Sequence, residues 1–400
     1  MLEVADALAI VLQHARPLRP VTETLSPALL NRVLAVDARA DRDSPPFDKS
    51  LRDGYAVRSS DCTGNSELVV VEEIAAGAVP KKSVGSGECS RIFTGAPMPE
   101  GANAVVMQED TEALGDRVRI EDASVKPGQW VFHRGTEMRA GDVVLSAGMR
   151  LHSAAIGLLA SIGGADVPVF ARPRVSIIAT GDELVPVDAE PDPGQIRNSN
   201  GPMLAAQACC VGAVVQDRGI ARDTERDLKA TLSEALEASD VVVLAGGVSA
   251  GKFDLVPGVL EQLGVTPRFH KVRMKPGKPL LFGTRNGTLV FGLSGNPVSA
   301  FVCFELFVRP ALRVLAGDMD PGPRGIVLPL AEAIAEANDR PTYRPAKLEL
   351  AAVGWSVRPL PWAGAPDLRG ITRADALIVL PAGESRIDPG TPVPVILLNG

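Results

Sequence analysis

From residue 174 to residue 316 the chain alternates short aliphatic runs with segments of helical spacing, and no other feature limits its fold as strongly. The runs 175–179, 213–220, 241–244, 268–272, 280–282 and 289–293 read as six strands, and 199–211, 224–238, 255–263 and 297–316 read as helices. Near-continuous apolar strands interleaved with helices bury both faces of a sheet, so this segment is expected to form a layered α/β sheet. In such sheets ligands sit beyond the carboxyl ends of the strands.

The flanks read differently. Residues 2–15 carry a helical pattern stopped by Pro17 and Pro20, and Ser26 precedes a second amphipathic helix expected over 27–35. The runs 68–74, 104–108, 117–120 and 130–133, broken by Gly and Pro, suit a small β-rich domain, and 147–162 returns to helix. After a Pro- and Gly-rich linker at 318–325, the runs 347–353, 376–380 and 393–398 suit a second small β domain. The division expected is 1–44 with 139–170 as a helical and linker unit, 45–138 as the β-rich insertion, 171–318 as the α/β unit and 319–400 as the C-terminal β unit. The fold class is therefore α/β and β multidomain. High Gly and Pro usage, 39 and 33 residues, agrees with many tight turns.

A net charge of −7 supplies no basic field for nucleic acid, so an anionic ligand needs local cations. Cys62, Cys89, Cys209, Cys210 and Cys303 show no metal spacing and are expected to be reduced, buried thiols of a cytoplasmic protein. The N-terminus does not have the pattern of a signal peptide, and no apolar run approaches the ~20 residues of a membrane span.

The connections between strands and helices carry the chemistry. TGDELV follows the first strand, AGGVSAGKFD the third, MKPGKP joins the fourth and fifth, and SGNPVSAF opens the last helix. Gly246 to Lys252 partly matches a phosphate-cradling P-loop, but Phe253 stands where the Mg²⁺-binding hydroxyl belongs. Lys275 and Lys278 flank Pro276-Gly277 and would present two ammonium groups to a tetrahedral oxyanion or phosphate; the plain alternative is a pair of solvated lysines. Asn296 or Ser294 can cap the helix that has Pro297 in its first turn, which makes either an anion site or an ordinary capped helix. Asp182, Glu183 and Asp254 would gather at the same edge as hard oxygen ligands for Mg²⁺. Thr94 reads as a turn cap, His133 and His270 read as structural, and none of the four histidines has a partner at metal or triad spacing, so serine hydrolase chemistry is not expected.

Eight segments in order, PFDKSLRDGYAVR, RIFTGAPMPEGANAVV, TGDEL, GQIRNSN, GGVSAGKFD, KPGKPLLFG, SGNPVSAF and ADALIVLP, resemble the molybdopterin molybdenumtransferase family, the MoeA proteins and gephyrin E domains. The resemblance spans nearly the whole chain. It implies a molybdenum insertase that hydrolyses adenylyl-molybdopterin with Mg²⁺, transfers molybdate onto the dithiolene and releases AMP. It further implies a homodimer joined through the helical unit, with molybdopterin adenylyltransferase and molybdoenzymes as protein partners. By the same resemblance Asp53, Thr94, Asp182, Glu183 and Asp254 are active-site residues, with Asp254 and Glu183 toward the metal. Gly246, Gly247, Ser249, Lys275, Lys278, Asn296, Pro297, Ser299, Arg340 and Arg344 would bind substrate, and Asp53 and Thr94 would act across the dimer. Departures are Lys252 in place of a frequent acid, Ser294 in place of Pro, Thr136-Glu137 in place of Glu-Asp, and Ala365 where many members have Ser. Lys252 and Ala365 motivate the alternative of a molybdopterin-binding scaffold without turnover, and the adenylylation step itself ranks third.

Overall fold

The computed structural model describes residues 1–248, 255–336, 338–352, 354–383 and 386–398. Six strands form the central sheet: β1 (Arg174–Thr180), β2 (Val214–Ala221), β3 (Val241–Ala245), β4 (Thr266–His270), β5 (Leu280–Arg285) and β6 (Thr288–Leu293). Their spatial order is β2-β1-β3-β6-β5-β4. The pairs β1/β2, β1/β3 and β3/β6 are parallel, whereas β5 runs antiparallel to both β6 and β4.

Side-chain alternation explains why β3, and β6 beyond Thr288, carry no polar side chain. Val241, Val243, Leu289, Phe291 and Leu293 point into one core, and Val242, Leu244 and Val290 into the other. Helices α1 (Asn200–Cys210), α4 (Pro297–Cys303) and α5 (Arg309–Leu315) cover the first face together with the N-terminal helix Val4–His14. Helices α2 (Glu225–Ala238) and α3 (Val256–Gln262) cover the second. The parallel strands then all end at one edge, and the turn joining β4 to β5 lies at that same edge because β4 is parallel to β6.

A second six-stranded sheet, in the order Ala104–Met107, Gly54–Val57, Glu88–Ile92, Ser66–Ile74, Arg117–Ile120 and Thr111–Leu114, occupies the insertion. A Cβ at Gly54 would overlap the Val106 carbonyl oxygen, so the Asp53-Gly54 step needs its glycine for strand pairing. The C-terminal sheet orders Gly325–Pro329, Pro392–Leu397, Ala376–Leu380, Thr342–Ala351 and Gly354–Pro359.

Four local expectations change. The helix expected over 27–35 is one 3₁₀ turn, Pro27–Leu29, after which Asn31 adopts φ 65° and Val33 and Leu34 bridge to Arg150 and Val169. Leu29, Val33 and Leu34 are buried, Leu29 at the end of the 3₁₀ turn and Val33 and Leu34 in bridged, extended chain. For the same reason the helix expected from 147 starts only at Ser153, because Met149 and Leu151 are hydrogen-bonded to the 31–34 strip.

The helix expected over 297–316 contains a π turn, Phe304–Val308. Pro310 cannot donate to the Leu306 carbonyl and its ring crowds that group, which a π turn relieves. Finally, Cys62, Cys89 and Cys303 are buried and free, but Cys209 and Cys210 are exposed at the end of α1. Burial raises the Cys303 thiol to about 12, so it is inert at neutral pH. Among the described residues no helix is long and apolar enough to cross a membrane.

Candidate functional site

Four connections meet at the carboxyl edge, those that follow β1, β3, β4 and β6. The Gly246 N–H donates to the Leu293 carbonyl at 3.0 Å, tying the loop after β3 to the end of β6. Gly246 has φ 109° and a Cβ there would strike the Thr180 carbonyl oxygen; Gly247, at φ 63°, lies against the Thr180 hydroxyl. Only glycine permits so close an approach of the β1 and β3 ends. His270 reaches the same loop, with Nε2 2.8 Å from the Val248 carbonyl oxygen, and so serves structure as expected. Ser249, Lys252 and Asp254 lie outside the described residues.

After β1, Asp182 and Glu183 are exposed. Asp182 Oδ1 accepts from the Asp223 N–H at 3.2 Å, and the Glu183 carbonyl accepts from Ile196 N–H at 2.8 Å, which ties TGDELV to GQIRNSN. From the latter motif Asn200 donates through Nδ2 to the Gly295 carbonyl at 2.7 Å, fastening it to SGNP. Its Oδ1 and the Thr180 hydroxyl are buried without a hydrogen-bond partner among the described residues. Asn200 and Thr180 are thus two polar groups at the site floor that sequence reading did not single out, although GQIRNSN was a recognised segment.

The start of α4 departs from the expectation of a capped anion site. Asn296 is the N-cap but makes no side-chain cap, and Ser294 Oγ accepts from the Asn296 N–H at 3.3 Å. The Val298 N–H, one of the helix-start donors, is already bonded to the Ala365 carbonyl at 3.0 Å. Ala365 therefore contributes its backbone whatever its side chain. Pro297 is half-buried and Ser299 is buried.

Lys275 and Lys278 stand on the turn between β4 and β5. Gly277, at φ 103°, lies so near Cys303 that a Cβ would meet its Sγ, which presses the turn onto α4. Lys278 is exposed. The Lys275 N–H donates to the Pro341 carbonyl at 2.9 Å, and the Tyr343 N–H donates to the Lys275 carbonyl at 2.7 Å, so the C-terminal sheet docks directly on this turn. Lys275 Nζ is 2.7 Å from Glu336 Oε1, and Arg344 Nη1 is 3.4 Å from Glu336 Oε2. Burial outweighs the neighbouring Glu336 and holds the Arg344 guanidinium below its ordinary value. Arg340 contacts Asp339 at 3.4 Å. Lys275 and Arg344 are therefore brought together, and Glu336 between them had no sequence signal.

Asp53 and Thr94 form their own unit in the insertion sheet. Asp53 Oδ1 accepts from both the Thr94 N–H and the Thr94 hydroxyl at 2.7 Å. Asp53, rather than Thr94 alone, caps this turn. Those two bonds, the backbone one first, hold the Asp53 carboxyl below its ordinary range. Within one chain neither residue shares a hydrogen bond or ion pair with the sheet-edge loops among the described residues. His133, expected within a strand as a structural residue, is instead exposed beside Asp48 at 3.1 Å, while Glu137 accepts from the Ser44 hydroxyl at 2.6 Å.

Three family profiles tile the chain: the MoeA N-terminal region (domain I and II) over residues 2–163, the probable molybdopterin binding domain over 176–314 and the MoeA C-terminal region (domain IV) over 327–398. A molybdopterin molybdenumtransferase of Staphylococcus aureus (strain Mu50 / ATCC 700699) is 38% identical over 402 residues, covering 98% of this chain and 95% of that protein. One from Staphylococcus epidermidis (strain ATCC 12228 / FDA PCI 1200) is 36% identical over 99% of this chain and 95% of its own. Among solved structures, the molybdopterin biosynthesis MoeA protein of Pyrococcus horikoshii OT3 superposes with a TM-score of 0.86 at 30% identity, with 100% of both chains covered. With the fold, the motif order and full-length identity in agreement, the chain belongs to the molybdopterin molybdenumtransferase family, the MoeA proteins, and is an enzyme of the transferase class.

Proposed function

We propose that this protein is a molybdenum insertase of molybdenum cofactor biosynthesis. Water cleaves the phosphoanhydride of adenylyl-molybdopterin into AMP and the phosphate monoester. Molybdate gives up one oxo group, which leaves as water with the two dithiol protons, while two Mo–S bonds form. The observation that carries this reading is the convergence of the Gly246-Gly247 loop, the Lys275–Lys278 turn and the start of α4 on one sheet edge, beside Asp182 and Glu183. Gly246, Gly247 and Ser249 let the backbone approach the substrate phosphates. Lys275, Lys278, Asn296, Pro297 and Ser299 hold the oxyanion end, and Arg340 and Arg344 add cations from the C-terminal sheet.

Mg²⁺ needs only one or two carboxylates, with substrate phosphates and water completing its shell. Asp182 and Glu183 are exposed at this edge and fit that donor set, with Asp254 as a further carboxylate; among the described residues no three His, Cys, Asp or Glu form a protein-only cage. Bound there, the ion would offset phosphate charge during cleavage. Asp53 and Thr94 act on the site of a second copy in a homodimer, joined through 1–44 and 139–170. We assign 45–138, 171–318 and 319–400 as the remaining units, and the cytoplasm as the compartment, with an adenylyltransferase upstream and molybdoenzymes downstream.

The test is AMP release from adenylyl-molybdopterin with Mg²⁺ and molybdate. Lys275→Ala is expected to slow it on the order of a hundredfold, as for loss of a charge-stabilising donor. An unchanged rate would overturn the role given to the lysine, and tight substrate binding without molybdate-dependent release would favour the scaffold alternative.

A further inference from the structure

We infer that Glu336 is an internal counter-anion of the oxyanion site, a positioning residue that holds Lys275 and Arg344 together and competes with the incoming oxyanion for them. The inference rests on the proposed role of these two cations. Glu336 comes from the segment preceding Thr342–Ala351, 61 residues beyond Lys275, and its two carboxylate oxygens divide between the cations: Oε1 to Lys275 Nζ at 2.7 Å and Oε2 to Arg344 Nη1 at 3.4 Å. All three side chains are partly sheltered, with 39%, 23% and 20% of their surfaces exposed for Lys275, Glu336 and Arg344.

The backbone brings the pair into reach: the Lys275 N–H and carbonyl are both bonded to the C-terminal unit, through Pro341 and Tyr343, which holds the main chain of the lysine beside the segment that carries Glu336. Arg344 Nη2 also lies 3.5 Å from the Leu360 carbonyl oxygen. Arg344 Nε and Asn338 Oδ1 are buried beside this pair with no hydrogen-bond partner among the described residues.

A carboxylate placed between two cations presents the negative charge and oxygen acceptors that a tetrahedral oxyanion presents. Its effect has two parts. It keeps Lys275 and Arg344 apart from mutual repulsion and aimed at one point, and it must release at least one of them before a dianion can bind both. Affinity for the oxyanion is then set by the difference between the two anions. A doubly charged oxyanion outcompetes a single carboxylate, and release of the oxyanion is assisted by the carboxylate returning. No such place-holder is needed near Lys278, which is exposed and has no ion-pair partner among the described residues.

The experiment titrates molybdate alone, by calorimetry, into the full chain and its Glu336→Gln, Glu336→Asp and Lys275→Ala variants. Because the pair is partly exposed, Glu336→Gln is expected to tighten molybdate binding roughly two- to five-fold, the range of a partly exposed ion pair. Glu336→Asp should stay near wild type. A purely structural role predicts the opposite sign, since loosening the dock would weaken binding. Unchanged or weaker binding in Glu336→Gln, with Lys275→Ala still weakening the wild type, overturns this inference alone. No effect of Lys275→Ala on molybdate binding overturns the underlying assignment of the site instead.

Discussion

At the scale of single residues, the chemistry of this protein is decided by which groups are left to pair with one another. Asp53 spends one oxygen on the N–H and hydroxyl of Thr94, so its carboxylate is fixed in direction. Hydrogen bonds to the charged form depress its pKa, and the linkage sign follows. The stabilisation is present above the ordinary carboxylate pKa and is lost as pH falls through the depressed folded value. In a carboxyl NMR titration the Asp53 midpoint is therefore expected below the ordinary 3.8, moving part of the way back in Thr94→Ala, which keeps only the backbone donor. A midpoint that does not move would mean the hydroxyl bond does not persist in solution. The pairing itself was not legible in the sequence: DGYA and FTGAP are separated by 41 positions, and only the adjacent strands Gly54–Val57 and Glu88–Ile92 bring them together.

Among elements, β3 and β6 are the ones on which the site depends, because the Gly246 loop and the start of α4 continue directly from them. Their apolar runs were sufficient to place them, since a strand buried on both faces has no polar side to obscure it. Phe291 sits at the centre of the first core, fully buried, with its ring 4.9 Å from that of Phe282. Phe291→Ala is expected to lower unfolding free energy by about 3–5 kcal/mol in urea denaturation. A loss near zero would show that this sheet is not the cooperative core. Elements that rely on tertiary partners were harder to read. The strip 31–34 has helical spacing yet pairs as extended chain with 149–151, because long-range bridges outweighed a short helix that nucleates poorly. Likewise Pro310 marks the π turn only once the helix on both sides of it is seen to continue.

For the whole molecule, the consequence is that one chain divides the proposed residues between two places: Asp53 and Thr94 on the insertion sheet, and the lysines, glycines and carboxylates on the central sheet edge. If each site is completed across a homodimer, mixing Asp53→Ala with Lys275→Ala and allowing subunits to exchange should restore AMP release. Half of the dimers would be mixed, each with one intact site, giving roughly a quarter of the wild-type sites. No recovery after verified exchange would place both residues in the same subunit's site. What the sequence determined by itself was local and periodic. It specified the buried strands, the helices against them, the glycine turns and the motif order by which the family is recognised, because burial and turn geometry act on neighbouring residues. What only the tertiary structure decided was partnership between distant positions: Asn200 on Gly295, Ala365 on the start of α4, and Glu336 between Lys275 and Arg344. Such pairs leave no period or spacing in the chain, since they form only when sheets separated by many residues dock and charges must be neutralised where they meet.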